Sequence, residues 1–118
     1  MARISLRLSF QDETALGPGK VRLLEMIEET GSISAAGRAM KMSYHRAWDL
    51  AENLNQTFKE PLISKAPGGV KGGGAELTAA GREVVRRYRA IEAGVTKHSN
   101  KDLIALEKLL PEPKRKRR

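Results

Sequence analysis

The polar side chains best placed to bond a ligand are concentrated in one stretch, "GSISAAGRAMKMSYHRAWDLAENLN" (31–55), which holds Ser32, Ser34, Ser43, Tyr44, His45, Arg46 and Asp49. Covalent chemistry fits them poorly. The chain has no cysteine, which removes thiolate nucleophiles, thiolate metal sites and disulfides together. His45 and Asp49 stand four residues apart, the spacing of one helix face, but no nucleophile or set of metal ligands surrounds them, so an outward-facing pair is the better reading. His98, the other histidine, falls at an expected helix end and reads as a cap or a surface residue. The glycine-rich stretches "GPGK" and "GGVKGGG" do not complete the G-x-x-x-x-G-K-[ST] phosphate loop. No enzyme activity, metal or cofactor is expected. What remains is a set of hydroxyl, imidazole, carboxylate and guanidinium groups suited to hydrogen bonding.

Those groups need elements to hold them. Ile4, Leu6, Leu8 and Phe10 alternate with Arg3, Ser5, Arg7 and Ser9, the pattern of a strand over 4–10 with one buried face. After the turn at "GPGK", Val21, Leu23, Leu24 and Ile27 fall at helical spacing from Pro18, and Gly31 ends that helix. Ser32 caps a short second helix over 34–40, where Ala35, Ala36, Gly37 and Ala39 are small enough for another helix to approach closely. Ser43 then caps a third, because its hydroxyl can accept an unpaired first-turn amide. In that helix Ala47, Leu50, Ala51, Leu54 and Phe58 form the inward stripe, while His45, Arg46, Asp49, Asn53 and Gln56 face out. Trp48, the one tryptophan, lies beside the inward stripe and suits packing, with a role against a ligand's surface as its alternative.

Beyond Pro61, "LISKA" and "AELT" read as the strands of a hairpin around the cationic tip "PGGVKGGG". Thr78 caps a long helix with Val84, Val85, Tyr88, Ile91 and Val95 at spacings of three or four. Arg82, Arg86, Arg87 and Arg89 on the same helix suit either phosphate or a solvated face. Ser99 to Asp102 matches a capping pattern for a last segment bearing Leu103, Ile104, Leu106, Leu109 and Leu110.

At 118 residues the chain suits one domain, read here as residues 1–110, with 111–118 as a basic tail. Aromatic residues make up 4%, so the core is aliphatic and expected to be helical. Neither a membrane-crossing run nor a leader is evident, and a cytoplasmic location is expected. The net charge of +8 is unevenly placed. Residues 1–60 balance eight cations against eight anions, and the final "PEPKRKRR" alone carries five cations and one Glu. High charge therefore says little about the folded part; the tail would add affinity for a polyanion without sequence preference, since each neutralised charge releases counterion.

The element order, strand, three helices, two-stranded hairpin and long C-terminal helix, is that of a winged helix-turn-helix: mainly α with a small β wing. The major groove of B-DNA admits one helix, which a second must brace, and residues 32–58 supply both. Double-stranded DNA is the expected partner. Tyr44, His45, Arg46 and Asp49, following the Ser43 cap, would face base edges and flanking phosphates, with Arg46 the candidate for a bidentate guanine contact. Ser32 and Ser34 would anchor the backbone at the second helix. Lys65, Lys71, Gly72 and Gly73 would follow phosphate or the minor groove from the wing, about 67–74.

"GSISAAGRAMKMSYHRAWDLAENLN" followed by "LISKAPGGVKGGGAELTAAGREVV" resembles the N-terminal DNA-binding domain of the molybdate-responsive regulators, the ModE family, and more distantly the LysR-like winged helix. The similarity runs from about Pro18 to Ile91, and its most specific parts are "SYHRAWD" and "GGVKGGGAELTAAG". The resemblance implies a bacterial or archaeal transcription regulator that dimerises through its first and last helices and binds a two-fold-related operator. Full-length members carry C-terminal oxyanion-binding domains that this sequence lacks, so a stand-alone form is expected and no molybdate site is assigned. Leu23, Leu24, Ile27, Val84, Tyr88, Ile91, Val95, Leu103 and Leu106 form the candidate homodimer seam. The alternative from another class is a winged helix serving as a protein–protein interaction module.

Overall fold

The computed structural model describes residues 2–11, 14–66 and 74–112. The N-terminal segment alternates as its sequence requires, with Ile4, Leu6 and Leu8 half-buried and their neighbours exposed. Its ladder is shorter than the strand expected over 4–10. Only β1 (Leu8–Ser9) pairs, antiparallel to β2 (Ala15–Leu16), with Leu8 opposite Leu16. The reason is local: the returning chain offers two residues before Gly17 and Pro18 turn it into a helix, so Ile4 and Leu6 keep the alternation without a ladder partner.

Helix α1 (Pro18–Thr30) opens with proline, whose missing amide costs nothing in a first turn, and ends at Gly31. There φ is +84°, a left-handed conformation that favours glycine, and the Gly31 amide donates to the Ile27 carbonyl. Val21, Leu23, Leu24 and Ile27 are wholly enclosed. Helix α2 (Ile33–Ala39) starts one residue earlier than its sequence suggests; Ser32 Oγ accepts the Ala35 amide at 2.9 Å. Helix α3 (Tyr44–Thr57) follows, and Ser43 Oγ accepts the Arg46 amide at 3.1 Å. The two cross so closely that a Cβ on Gly37 would lie 2.8 Å from that of Ala47, so glycine here permits the close approach of α2 to α3.

Strands β3 (Ile63–Ala66) and β4 (Gly74–Leu77) pair antiparallel, Ile63 opposite Leu77. Three contacts seat this hairpin. Asn55 of α3 accepts the Leu62 and Ile63 amides on Oδ1 and donates through Nδ2 to the Ile63 carbonyl. The Ala75 amide donates to the Gly31 carbonyl, and the Leu77 amide to Glu28 of α1. Helix α4 (Ala79–His98) begins at Thr78, whose Oγ1 accepts the Gly81 amide and donates to the Pro61 carbonyl. Helix α5 (Asn100–Lys108) follows after a break at Ser99. The expected Ser99 side-chain cap does not form, because the residue is already the last turn of α4, its amide bonded to the Val95 carbonyl.

The core lies among α1, α2, α3, the hairpin and the first half of α4. It is aliphatic apart from Tyr88, whose hydroxyl donates to the Leu6 carbonyl at 2.6 Å. No polar or charged residue is buried among the described residues. The fold is mainly α with a small β wing, the winged helix-turn-helix arrangement.

Candidate nucleic-acid interface

Helix α3 carries two outward stripes with different surroundings. On the first, Ser43, His45, Arg46, Asp49 and Asn53 line one shallow concavity, joined by Lys20 from α1. The Lys20 ammonium donates to Asn53 Oδ1 at 2.7 Å and to the Ala15 carbonyl at 3.0 Å. Partial burial, and secondarily the Arg7 charge, lower its pKa from the ordinary lysine value. Arg46 is exposed and makes no ion pair among the described residues.

The second stripe faces the wing. Tyr44 is 58% exposed and meets the half-buried Trp48 edge-on, ring centroids 6.0 Å apart. Lys65 of β3 places its ammonium 4.2 Å from the Trp48 ring centroid and pairs with Glu52, one turn further along α3. Lys65 is thus held against α3 rather than free at the wing. Lys71, Gly72 and Gly73 lie outside the described residues, as does the basic run 114–118.

At α2, Ser32 is occupied as a cap and Ser34 accepts from Arg38 at 3.0 Å. A hydroxyl that accepts one bond keeps its proton to donate, so both can still bond an anion. The arginines of α4 are taken up by carboxylates. Arg86 and Arg87 pair with Glu83, Arg82 with Glu28, and Arg89 with Glu25 and Glu92. The two hydrogen bonds that Arg89 donates to Glu25 are mutual stabilisers: they hold the Glu25 carboxyl below its ordinary pKa and push the guanidinium further up.

The candidate dimer seam divides. Leu23, Leu24 and Ile27 are completely buried and Tyr88 is 1% exposed, so these four belong to the core of a single chain and have no surface left for a partner. The correction has a simple cause: apolar spacing marks a face to be covered and not which chain covers it. Val84 is half-buried against the core. Val95 and Leu103 are partly exposed, while Ile91 and Leu106 are exposed, alongside Ile104, Leu109 and Leu110.

Sequence reasoning passed over Lys20, Glu52 and Asn55 as parts of this surface. Asn55 lies between the expected outward residues Asn53 and Gln56, yet only the tertiary fold brings 62–63 to it. Among the described residues no group of three His, Asp or Glu could hold a metal ion, and no helix is long and apolar enough to cross a membrane.

No family model matches the chain. Its relatives are nonetheless clear. The molybdenum-pterin-binding protein MopB of Rhodobacter capsulatus is 49% identical over 82 residues, 70% of this chain and 30% of that protein. The molybdenum transport protein ModE of Azotobacter vinelandii is 44% identical over 92 residues, covering 78% of this chain and 33% of the relative. The DNA-binding transcriptional dual regulator ModE of Escherichia coli is 37% identical over 87 residues, 74% and 33% respectively. The chain spans about a third of the length of the curated relatives it matches. By its sequence, this chain belongs to the ModE family.

Proposed function

We propose that this domain is a sequence-specific double-stranded DNA-binding unit of a transcription regulator, with α3 in the major groove. The observation that carries the reading is the tight α2–α3 crossing at Gly37 and Ala47, which leaves Tyr44, His45, Arg46 and Asp49 exposed in the first turns of α3. A braced helix with polar residues outward at its N-terminal end matches what the groove admits. The naming of relatives as transcriptional regulators supports the same reading.

Within it, Arg46 reads guanine bidentately, and Tyr44, His45 and Asp49 contact neighbouring edges and phosphates. Ser32, Ser34 and the Ser43 end of α3 fix the register on the backbone. Lys65, Lys71, Gly72 and Gly73 carry the wing along phosphate or into the minor groove. The protein works as a cytoplasmic homodimer whose seam is Ile91, Val95, Leu103 and Leu106 of α4 and α5, placing two recognition helices about one DNA turn, roughly 34 Å, apart. Residues 111–118 add affinity without sequence preference.

Selection of bound sequences from a random duplex pool, at two salt concentrations and with residues 114–118 removed, tests the reading. Enrichment of an inverted repeat is expected. Recovery of no sequence would overturn it and direct the search to protein partners.

A further inference from the structure

Lys20 reaches from α1 to α3 and gives two of its three ammonium protons to uncharged acceptors, Asn53 Oδ1 and the Ala15 carbonyl. One proton remains to donate. Lys65 and the arginines of α4 each have a carboxylate partner, whereas Lys20 forms no ion pair among the described residues. Asp49 lines the same concavity without pairing with it. The lysine is half-buried, and burial together with the Arg7 charge already disfavours its cation. The free domain thus holds here a positioned positive charge with a spare donor and no counter-charge in contact.

We infer that Lys20 is a DNA contact supplied by α1, a cation set in place before DNA arrives to take a backbone phosphate at the rim of the groove that α3 reads. This rests on the placement of α3 in the major groove proposed above. Asn53, which holds the ammonium, lies two turns beyond Arg46 on α3, about 10 Å along the axis at roughly 1.5 Å per residue. The major groove is only about 8.5 Å deep. With the N-terminal turns of α3 at the base edges, the turn that carries Asn53 has risen to the level of the flanking phosphates, and Lys20 comes with it. A phosphate there supplies the missing negative charge and meets a donor already ordered by two bonds, so little side-chain freedom is lost on binding. Such a contact carries no sequence information, so Lys20 adds affinity and register while Arg46 reads the base.

Titration of four chains, wild type, Lys20→Met, Lys20→Gln and Lys20→Arg, against the selected site and an arbitrary duplex at several salt concentrations tests this. Lys20→Met and Lys20→Gln are expected to lose affinity several-fold on both duplexes alike. Their dependence of log K on log salt should be shallower by about 0.9, the share of one phosphate, with base preference unchanged. Gln keeps a donor without the charge, and Arg keeps the charge. Lys20→Arg should therefore hold the wild-type slope while Lys20→Gln loses it, a difference that a mere clip between α1 and α3 would not produce. Thermal melting checks that each variant keeps the fold, and the Gln and Arg pair carries the comparison if Met does not. An unchanged slope for Lys20→Gln, or a loss confined to one base position, would overturn the inference and leave the reading of α3 standing. A wild type that prefers no sequence would overturn both.

Discussion

The ammonium of Lys65 lies 4.2 Å from the centroid of the Trp48 ring, so the first strand of the wing is clipped to α3 by a cation on an aromatic face. Glu52 pairs with the same ammonium, and the two side chains are 40% and 45% exposed. A pair this accessible contributes little to stability. It does offset a charge beside α3.

The first prediction follows from that offset. A DNA phosphate reaching Lys65 must compete with the Glu52 carboxylate. Glu52→Gln should raise affinity for any duplex several-fold and steepen the dependence of log K on log salt by about 0.9, the share of one added phosphate contact. Titration of an arbitrary duplex at several salt concentrations measures this, with fluorescence of Trp48, the sole tryptophan, reporting the released cation. Equal slopes for variant and wild type would place Lys65 away from the backbone.

Arg46 is the contrasting cation. It stands on the other stripe of α3 with no ion pair among the described residues, so no carboxylate has to be displaced before it meets a base. Arg46→Ala should cost about 1 to 3 kcal/mol on the preferred site and relax one base position. Competition binding against single-base variants of the selected site checks both parts. Unchanged affinity and preference would move the recognition surface elsewhere.

Helix boundaries were legible in the sequence because their signals are local. Ser32, Ser43 and Thr78 each accept an amide three residues on, and Gly31 closes α1 in the left-handed region that its type favours. The strand over 4–10 was legible as a pair of faces but not as a ladder, since ladder length is set by the partner. Leu23, Leu24 and Ile27 show the same limit more sharply: their spacing is the same whether a neighbouring helix or a second chain covers them. The exposed polar face from Ser43 to Asp49 was legible because one helix presents it. Lys20 was hidden inside "GPGK", a glycine-rich turn that draws attention to phosphate loops. Its partner Asn53 lies on another element, and nothing in the local pattern joins them.

The seam proposed on α4 and α5 rests on apolar side chains that the single chain leaves uncovered. Leu106 is 61% exposed and Leu109 78%, and no residue of α5 is buried. Leu106→Asp should therefore fold as well as wild type while weakening self-association about tenfold or more, the effect of removing one buried leucine and adding a charge. Sedimentation over a concentration series measures it. Binding to an inverted repeat should fall while binding to a single half-site is retained. A variant with the mass and operator affinity of the wild type would remove α5 from the seam.

Tyr88 was a candidate for that seam and is instead the buried post on which the N-terminal segment hangs. Its hydroxyl donates to the Leu6 carbonyl across 82 positions of sequence, while its ring fills the core. Tyr88→Phe keeps the ring and removes the bond, at an expected cost of about 0.5 to 1.5 kcal/mol. The same residue gives a pH signature. Burial raises the pKa of the phenol, the Glu92 charge adds to the rise, and Arg89 opposes it. The folded protein therefore holds this proton more tightly than the unfolded chain. Its contribution is whole below the unfolded tyrosine value of about 10 and is lost as pH climbs through the higher folded value. Denaturant unfolding of the wild type should weaken across that alkaline window more than that of Tyr88→Phe, so the stability gap between them narrows as pH rises. A gap that stays constant would mean that the phenol is not held away from water in the fold. Amide exchange at Leu8 and Leu16 supplies the local readout, because losing the anchor should release the β1–β2 pair before the helices.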